Sequence, residues 1–210
     1  LIRWNHPDRG FIPPPEFIKV AEESNLIIEL GAWILEKSCR FIKEYNCQHQ
    51  TNYSIAVNVS TVQLLNEHFE TSVLAILEST GLNPAFLELE ITESVLMHHI
   101  DTANAKLEKK KKKNISIALD DFGTGYSSLT YLKSLPISTL KLDKSFIDDI
   151  ASNAISFEIV DSVIQIARSI GLNIVVEGIE TEDQLQILKR LKCHKIQGYY
   201  FSRPVPEAEL

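Results

Sequence analysis

Short β-type runs alternate with amphipathic stretches along this chain, and each run ends in or just before a polar, ligand-type residue. The runs are Ser54–Val59, Phe86–Ile91, Ile115–Asp120, Thr139–Asp143, Asn173–Glu177 and Ile196–Phe201. They recur at intervals of roughly 23 to 34 residues, a spacing that predicts βαβ units and a parallel sheet. Strand–helix repetition of this kind fits either an open doubly wound sheet or a (β/α)8 barrel. The stretches between the runs read as helices. Phe157–Ile170 puts Val160, Val163, Ile164 and Ala167 on one face, with Gly171 as the stop. Thr181-Glu182-Asp183-Gln184 spells a capping box ahead of Leu185, Leu188 and Leu191. Pro13–Pro15 precedes a helix containing Phe17, Val20 and Ala21, and a longer helix is expected over Leu30–Tyr45. No linker or shift in composition divides the 210 residues, so a single domain over 1–210 is expected.

The strand ends concentrate chemistry. Asn58 closes the first run, Glu90 the second with Glu93 beyond it, and Asp120 and Asp121 the third. Lys141 and Asp143 share one face of the fourth by period-two alternation; Glu177 ends the fifth with Glu180 nearby, and Gln197 lies in the sixth. In parallel α/β folds the C-terminal edge of the sheet is where sites are built. Carboxylates converging with an Asn and a Gln offer oxygen donors, the preference of Mg2+, Mn2+ or Ca2+. The cysteines lie away from the strand ends and His194 only abuts the last run, so zinc is disfavoured. Paired hard cations suit phosphodiester hydrolysis, and a lysine among the acids can hydrogen-bond water or a phosphate oxygen. A Mg2+-dependent enzyme acting on a phosphorylated metabolite fits the same residues equally well.

Other features read as structural. Lys109–Lys113 fits a solvated helix C-terminus, His98-His99 a solvated turn, and Tyr199, Tyr200 and Phe201 wall and core. A net charge of −7 argues against binding to nucleic-acid polymers or anionic membranes. No run approaches the roughly 18 apolar residues of a membrane span, so no membrane contact is expected of the domain. Three cysteines without metal-type spacing suggest a reducing, cytoplasmic setting.

The motifs together resemble the EAL domain family, over essentially the whole chain. The matching stretches are Leu1–Pro15, Val57–Ser60 (VNVS), Leu87–Ser94 (LELEITES), Asp120–Ser128 (DDFGTGYSS), Leu140–Phe146 (LKLDKSF), Glu177–Glu180 (EGIE) and Gln197–Pro204 (QGYYFSRP). The resemblance implies a modified TIM (β/α)8 barrel whose first strand is antiparallel. It implies Mg2+- or Mn2+-dependent hydrolysis of cyclic di-GMP to linear pGpG, with two ions per site and Ca2+ inhibitory. It implies Asn58, Glu90, Asp120, Asp121 and Glu177 as metal ligands, and Glu177 (the general base), Lys141 and Gln197 as catalytic groups. Arg3, Phe201, Arg203 and Pro204 are implied as substrate contacts, with Asp143 and Glu180 supporting the same site. Glu93 is implied as the anchor of the Asp121–Ser128 loop, which in the family couples dimerisation to activity. A homodimer and upstream GGDEF or sensor domains are the partners implied. The chain begins at the Leu of the Glu-Ala-Leu signature, with Leu1–Trp4 reading as the tail of a strand. The family's metal-binding glutamate and antiparallel first strand are therefore expected upstream of Leu1. A catalytically inactive receptor for cyclic di-GMP is the alternative if that glutamate is substituted.

Overall fold

Backbone pairing in the computed structural model gives an α/β chain in which a small antiparallel hairpin precedes parallel strands. The structure describes residues 2–93, 104, 106–108, 113–124, 132, 133 and 135–209. Lys109–Lys112, His98-His99 and the part of the Asp121–Ser128 loop beyond Thr124 lie outside the described residues. The chain divides into two compact units, Leu1–Ile91 with His98–Ser116, and Thr92–Met97 with Ile117–Leu210.

The first unit opens with β1 (Trp4–His6) paired antiparallel to β2 (Gly10–Ile12). Of the strand tail expected over Leu1–Trp4, Leu1 lies outside the described residues, Ile2 and Arg3 stand outside any strand, and Trp4 opens β1. The chain reverses after His6, whose Nδ1 accepts from the amides of Asp8 (3.1 Å) and Arg9 (3.3 Å). Helix α1 (Pro14–Glu23) starts on prolines, which are tolerated where a first-turn amide has no intrahelical acceptor. It buries Phe17 and Ala21, while Val20 is exposed. Helix α2 is Ile27–His49, longer at both ends than expected, and buries Ile27, Leu35, Cys39 and Ile42 along one stripe. Strand β3 (Ile55–Asn58) runs parallel to β4 (Leu87–Thr92) with Asn58 opposite Glu90. Between them lie α3 (Thr61–Leu65), closed by a Ser60–Gln63 capping box, and α4 (Phe69–Thr80).

The second unit holds β5 (Ser116–Phe122), β6 (Thr139–Leu142), β7 (Asn173–Val176) and β8 (Lys195–Ile196). Strands β5 to β8 pair parallel in chain order. Leu140, Leu142, Val160, Ile164, Val176 and Leu188 are buried to within 1% of completely, forming the apolar layer on which the strand ends rest. Helix α5 (Ala154–Ser169) buries Val160, Ile164 and Ala167, and α6 (Glu182–Arg190) opens on the expected Thr181–Gln184 capping box.

Two strands end sooner than their sequence suggests. Asp143 does not continue β6: its carboxylate accepts from the Ser145 amide (2.9 Å) and starts a 3-10 turn over Lys144–Phe146. Strand β8 stops at Ile196 rather than Phe201. The Ile179 amide donates to Gln197 O (3.2 Å), the Tyr200 amide to Ile179 O (2.9 Å) and the Phe201 amide to Gly198 O (3.1 Å). These bonds divert the backbone into a turn. Tyr199, Tyr200 and Phe201 are exposed there, not wall and core.

Candidate metal centre

The acidic residues of β5 reach one place because the strand is irregular there. Pairing with β6 shifts register between Leu119 and Phe122, a bulge that takes up one residue at Asp120-Asp121. Asp121 adopts a left-handed φ of 54°, and its amide donates to Asp120 Oδ1 at 3.1 Å. Short polar Asp tolerates that conformation better than most side chains. The bulge turns two neighbouring carboxylates, which a regular strand would send to opposite faces, toward the residue following β7. Asp120, Asp121 and Glu177 each present an oxygen, and the three oxygens lie within 4.8 Å of one another.

Lys141, on β6 between these strands, joins the group. Its ammonium contacts Asp120 Oδ1 at 2.9 Å and Glu177 Oε1 at 2.8 Å while 6% exposed. Burial raises the pKa of Glu177; the Lys141 hydrogen bond and charge oppose this, and Asp120 and Asp121 add to it. Burial likewise raises Asp121, helped by the charges of Asp120 and Asp143 against Lys141. Three carboxylates facing one ammonium therefore hold more negative charge than the site offsets. An all-oxygen donor set with surplus negative charge suits a hard divalent cation, so the residues fit the Mg2+ or Mn2+ expected from the sequence.

Around this core, burial works to raise Asp143, but hydrogen bonds from Ser145 and from the backbone hold its carboxyl below the usual range. Glu180 accepts from Lys144 Nζ at 2.6 Å. Glu93 is buried, and its Oε2 accepts from the Gly123 amide at 3.1 Å, beside Asp121. Gln197 is exposed, and its backbone is fixed by the Val176 carbonyl and the Ile179 amide. Phe201, Arg203 and Pro204 follow on an exposed segment, where Arg203 stacks 5.1 Å above the Tyr199 ring.

The remaining expected site residues lie in the first unit. Asn58 Nδ2 donates to Glu90 Oε2 at 3.1 Å, from facing positions on β3 and β4, and Glu90 is buried. Arg3 lines an apolar groove of about 760 Å3 with Trp4, Phe17, Leu30 and Trp33. Lys144 and Phe146 escaped the sequence reading although they lie against Gly178 and Gly123, in the loops that follow Glu177 and Asp121. The glycines close behind the carboxylates, Gly123 two residues after Asp121 and Gly178 directly after Glu177, were the available signal.

The sequence pattern of the EAL domain matches residues 1–204. MucR of Pseudomonas aeruginosa, a bifunctional diguanylate cyclase/cyclic di-GMP phosphodiesterase, is 40% identical over 210 residues, 100% of this chain and 31% of MucR. The cyclic di-GMP phosphodiesterase NbdA of the same organism is 41% identical over 210 residues, covering 100% of this chain and 27% of NbdA. The chain thus spans less than a third of the length of these curated relatives. The solved structure of the PaMucR phosphodiesterase in complex with c-di-GMP matches with a TM-score of 0.93 at 40% identity, covering 100% of this chain and 85% of that one. A match of that extent identifies the fold as the barrel-type α/β fold expected from the motifs. Among the described residues no helix is long and apolar enough to cross a membrane.

Proposed function

Because this chain belongs to the EAL domain family, we propose that it is a cytoplasmic cyclic di-GMP phosphodiesterase domain, hydrolysing one phosphodiester of cyclic di-GMP to linear pGpG. The observation that carries this reading is the convergence of Asp120, Asp121 and Glu177 around the Lys141 ammonium. We assign these three carboxylates, with Asn58 and Glu90, to hold two Mg2+ or Mn2+ ions. Bound cations of this kind lower the pKa of a water and offset charge on the leaving oxygen.

The protein's own groups do the rest. Glu177 takes the proton of the attacking water as the water oxygen bonds to phosphorus and the bond from phosphorus to the ribose oxygen breaks; that oxygen takes a proton from solvent water to become a hydroxyl. Its raised pKa, caused chiefly by burial, brings its basicity toward the working pH. Lys141 holds Glu177 and Asp120 in place and keeps a positive charge beside the phosphate. Gln197 orients the water. Arg3, Phe201, Arg203 and Pro204 bind the nucleotide, while Asp143 and Glu180 support the site and Glu93 anchors the loop after Asp121. Cyclic di-GMP, a second copy of the chain, and GGDEF or sensor domains of a longer protein are its partners.

The test is incubation of the domain, extended upstream of Leu1 to include the expected glutamate, with cyclic di-GMP and Mg2+ or Mn2+, followed by chromatography. Linear pGpG is expected, with Ca2+ suppressing it and Glu177→Gln lowering the rate by about 100-fold or more. Calorimetric binding of cyclic di-GMP without any pGpG would overturn catalysis in favour of a receptor.

A further inference from the structure

The carboxylates of the metal centre leave two different strands on either side of β6: Asp120 and Asp121 from β5, Glu177 after β7. Their spacing therefore depends on whatever fixes one loop against the other. Lys141 bridges the carboxylates themselves; among the described residues, one turn lies against the backbone that follows each of them.

The 3-10 turn Lys144–Phe146 follows β6 and is started by the Asp143 carboxylate. On one side, the Phe146 ring lies on the Gly123 backbone, so close that a Cβ at Gly123 would sit 2.0 Å from Phe146 Cε2. Gly123 is two residues beyond Asp121, at φ +99°, where only glycine is unstrained. On the other side, the Lys144 stem lies on Gly178, the residue after Glu177. A Cβ there would sit 2.4 Å from both Lys144 Cβ and Cγ. The Lys144 ammonium then reaches Glu180 Oε1 at 2.6 Å, two residues further along the same loop. The turn is itself anchored at its end, since the buried Gln184 Nε2 donates to Ile147 O at 3.1 Å.

We propose that Lys144 and Phe146 are positioning residues for the metal centre, a two-sided clamp that sets the distance between the Asp120-Asp121 pair and Glu177. This rests on the assignment of those carboxylates as metal ligands. Neither clamp residue belongs to the carboxylate cluster; each acts by fixing the loop that carries one of its members. Groups one step removed from a metal typically change its affinity by about 10- to 100-fold when lost.

The test is Mn2+ binding to the intact chain, read by calorimetry and by the Mn2+-induced rise in unfolding temperature. Phe146→Ala and Lys144→Ala are each expected to raise the Mn2+ concentration for half-saturation by about 10-fold. Turnover at saturating Mn2+ is expected to lose kcat with little change in KM for cyclic di-GMP. Val160→Ala supplies the control: Val160 is buried in α5, so the change lowers the unfolding temperature but is expected to leave the Mn2+ midpoint unmoved. Wild-type protein that binds no Mn2+ overturns the metal-centre reading itself. Wild-type binding with unchanged midpoints in both clamp variants, or an equal shift in Val160→Ala, overturns the clamp alone.

Discussion

At the scale of single residues, Lys141 separates two roles that coincide in many metal sites. It neutralises part of the acidic cluster and, in the proposed reaction, also supplies charge beside the phosphate. Lys141→Met removes both, with opposite consequences. Mn2+ binding is expected to hold or tighten, because Asp120 and Glu177 lose a competing cation, while kcat is expected to fall by about 100- to 1,000-fold, as when a preorganised electrostatic donor is lost. Parallel calorimetry and rate measurements check this. The raised pKa values of Asp121 and Glu177 set a pH dependence whose sign is fixed. Both fold with burial holding the proton on, so between the ordinary carboxylate range and the raised values the native state binds more protons than the unfolded chain. In chelator, their contribution to stability is therefore present at low pH and lost as pH rises through that window. Added Mn2+ is expected to reverse the slope, since it binds the deprotonated forms. Thermal unfolding from about pH 4 to 7, with and without Mn2+, measures both slopes. The identities of these carboxylates were legible in the sequence as polar ends to apolar runs. The convergence of Asp120 with its neighbour was not, because it comes from a bulge defined by pairing to β6.

At the scale of elements, the sequence spoke most clearly where a local rule decides the outcome. The capping box of α6 formed as its spelling requires, Thr181 Oγ1 accepting from the Gln184 amide and Gln184 Oε1 accepting from the Thr181 amide. Thr181→Ala is expected to cost about 1 kcal/mol of stability, measured by urea unfolding, with the midpoint moving and the slope unchanged. Elements whose ends depend on partners were less legible. Tyr199, Tyr200 and Phe201 have the composition of a strand, yet the Tyr200 amide is spent on Ile179 and the run becomes a turn. Its conformation is reinforced by the Tyr200 hydroxyl donating to the Glu182 carboxylate at the start of α6. Asp143 likewise reads as strand by alternation but serves as the cap of the next turn. Each error has one cause: a side chain or amide that local propensity assigns to the sheet finds a better partner outside it.

For the molecule as a whole, the α/β class was readable from alternation, whereas alternation alone left an open sheet and a barrel equally good. The longer motifs resolved that choice, and the whole-chain structural match agrees with them. A ligand that binds only the folded form stabilises it by mass action, so Mn2+ at 100 times its dissociation constant is expected to add about 2.7 kcal/mol to the unfolding free energy. The unfolding midpoint with and without the ion reads this directly. The glycines beside the ligands carry a consequence for inheritance. Gly123 and Gly178 leave no room for a methyl group against Phe146 and Lys144, and Gly198 leaves none against the Ile179 backbone. In a saturation mutagenesis screen for activity, all three should tolerate as few replacements as Asp120 or Glu177. A map of intolerance would therefore outline the proposed site in residues that have no side chain to offer it.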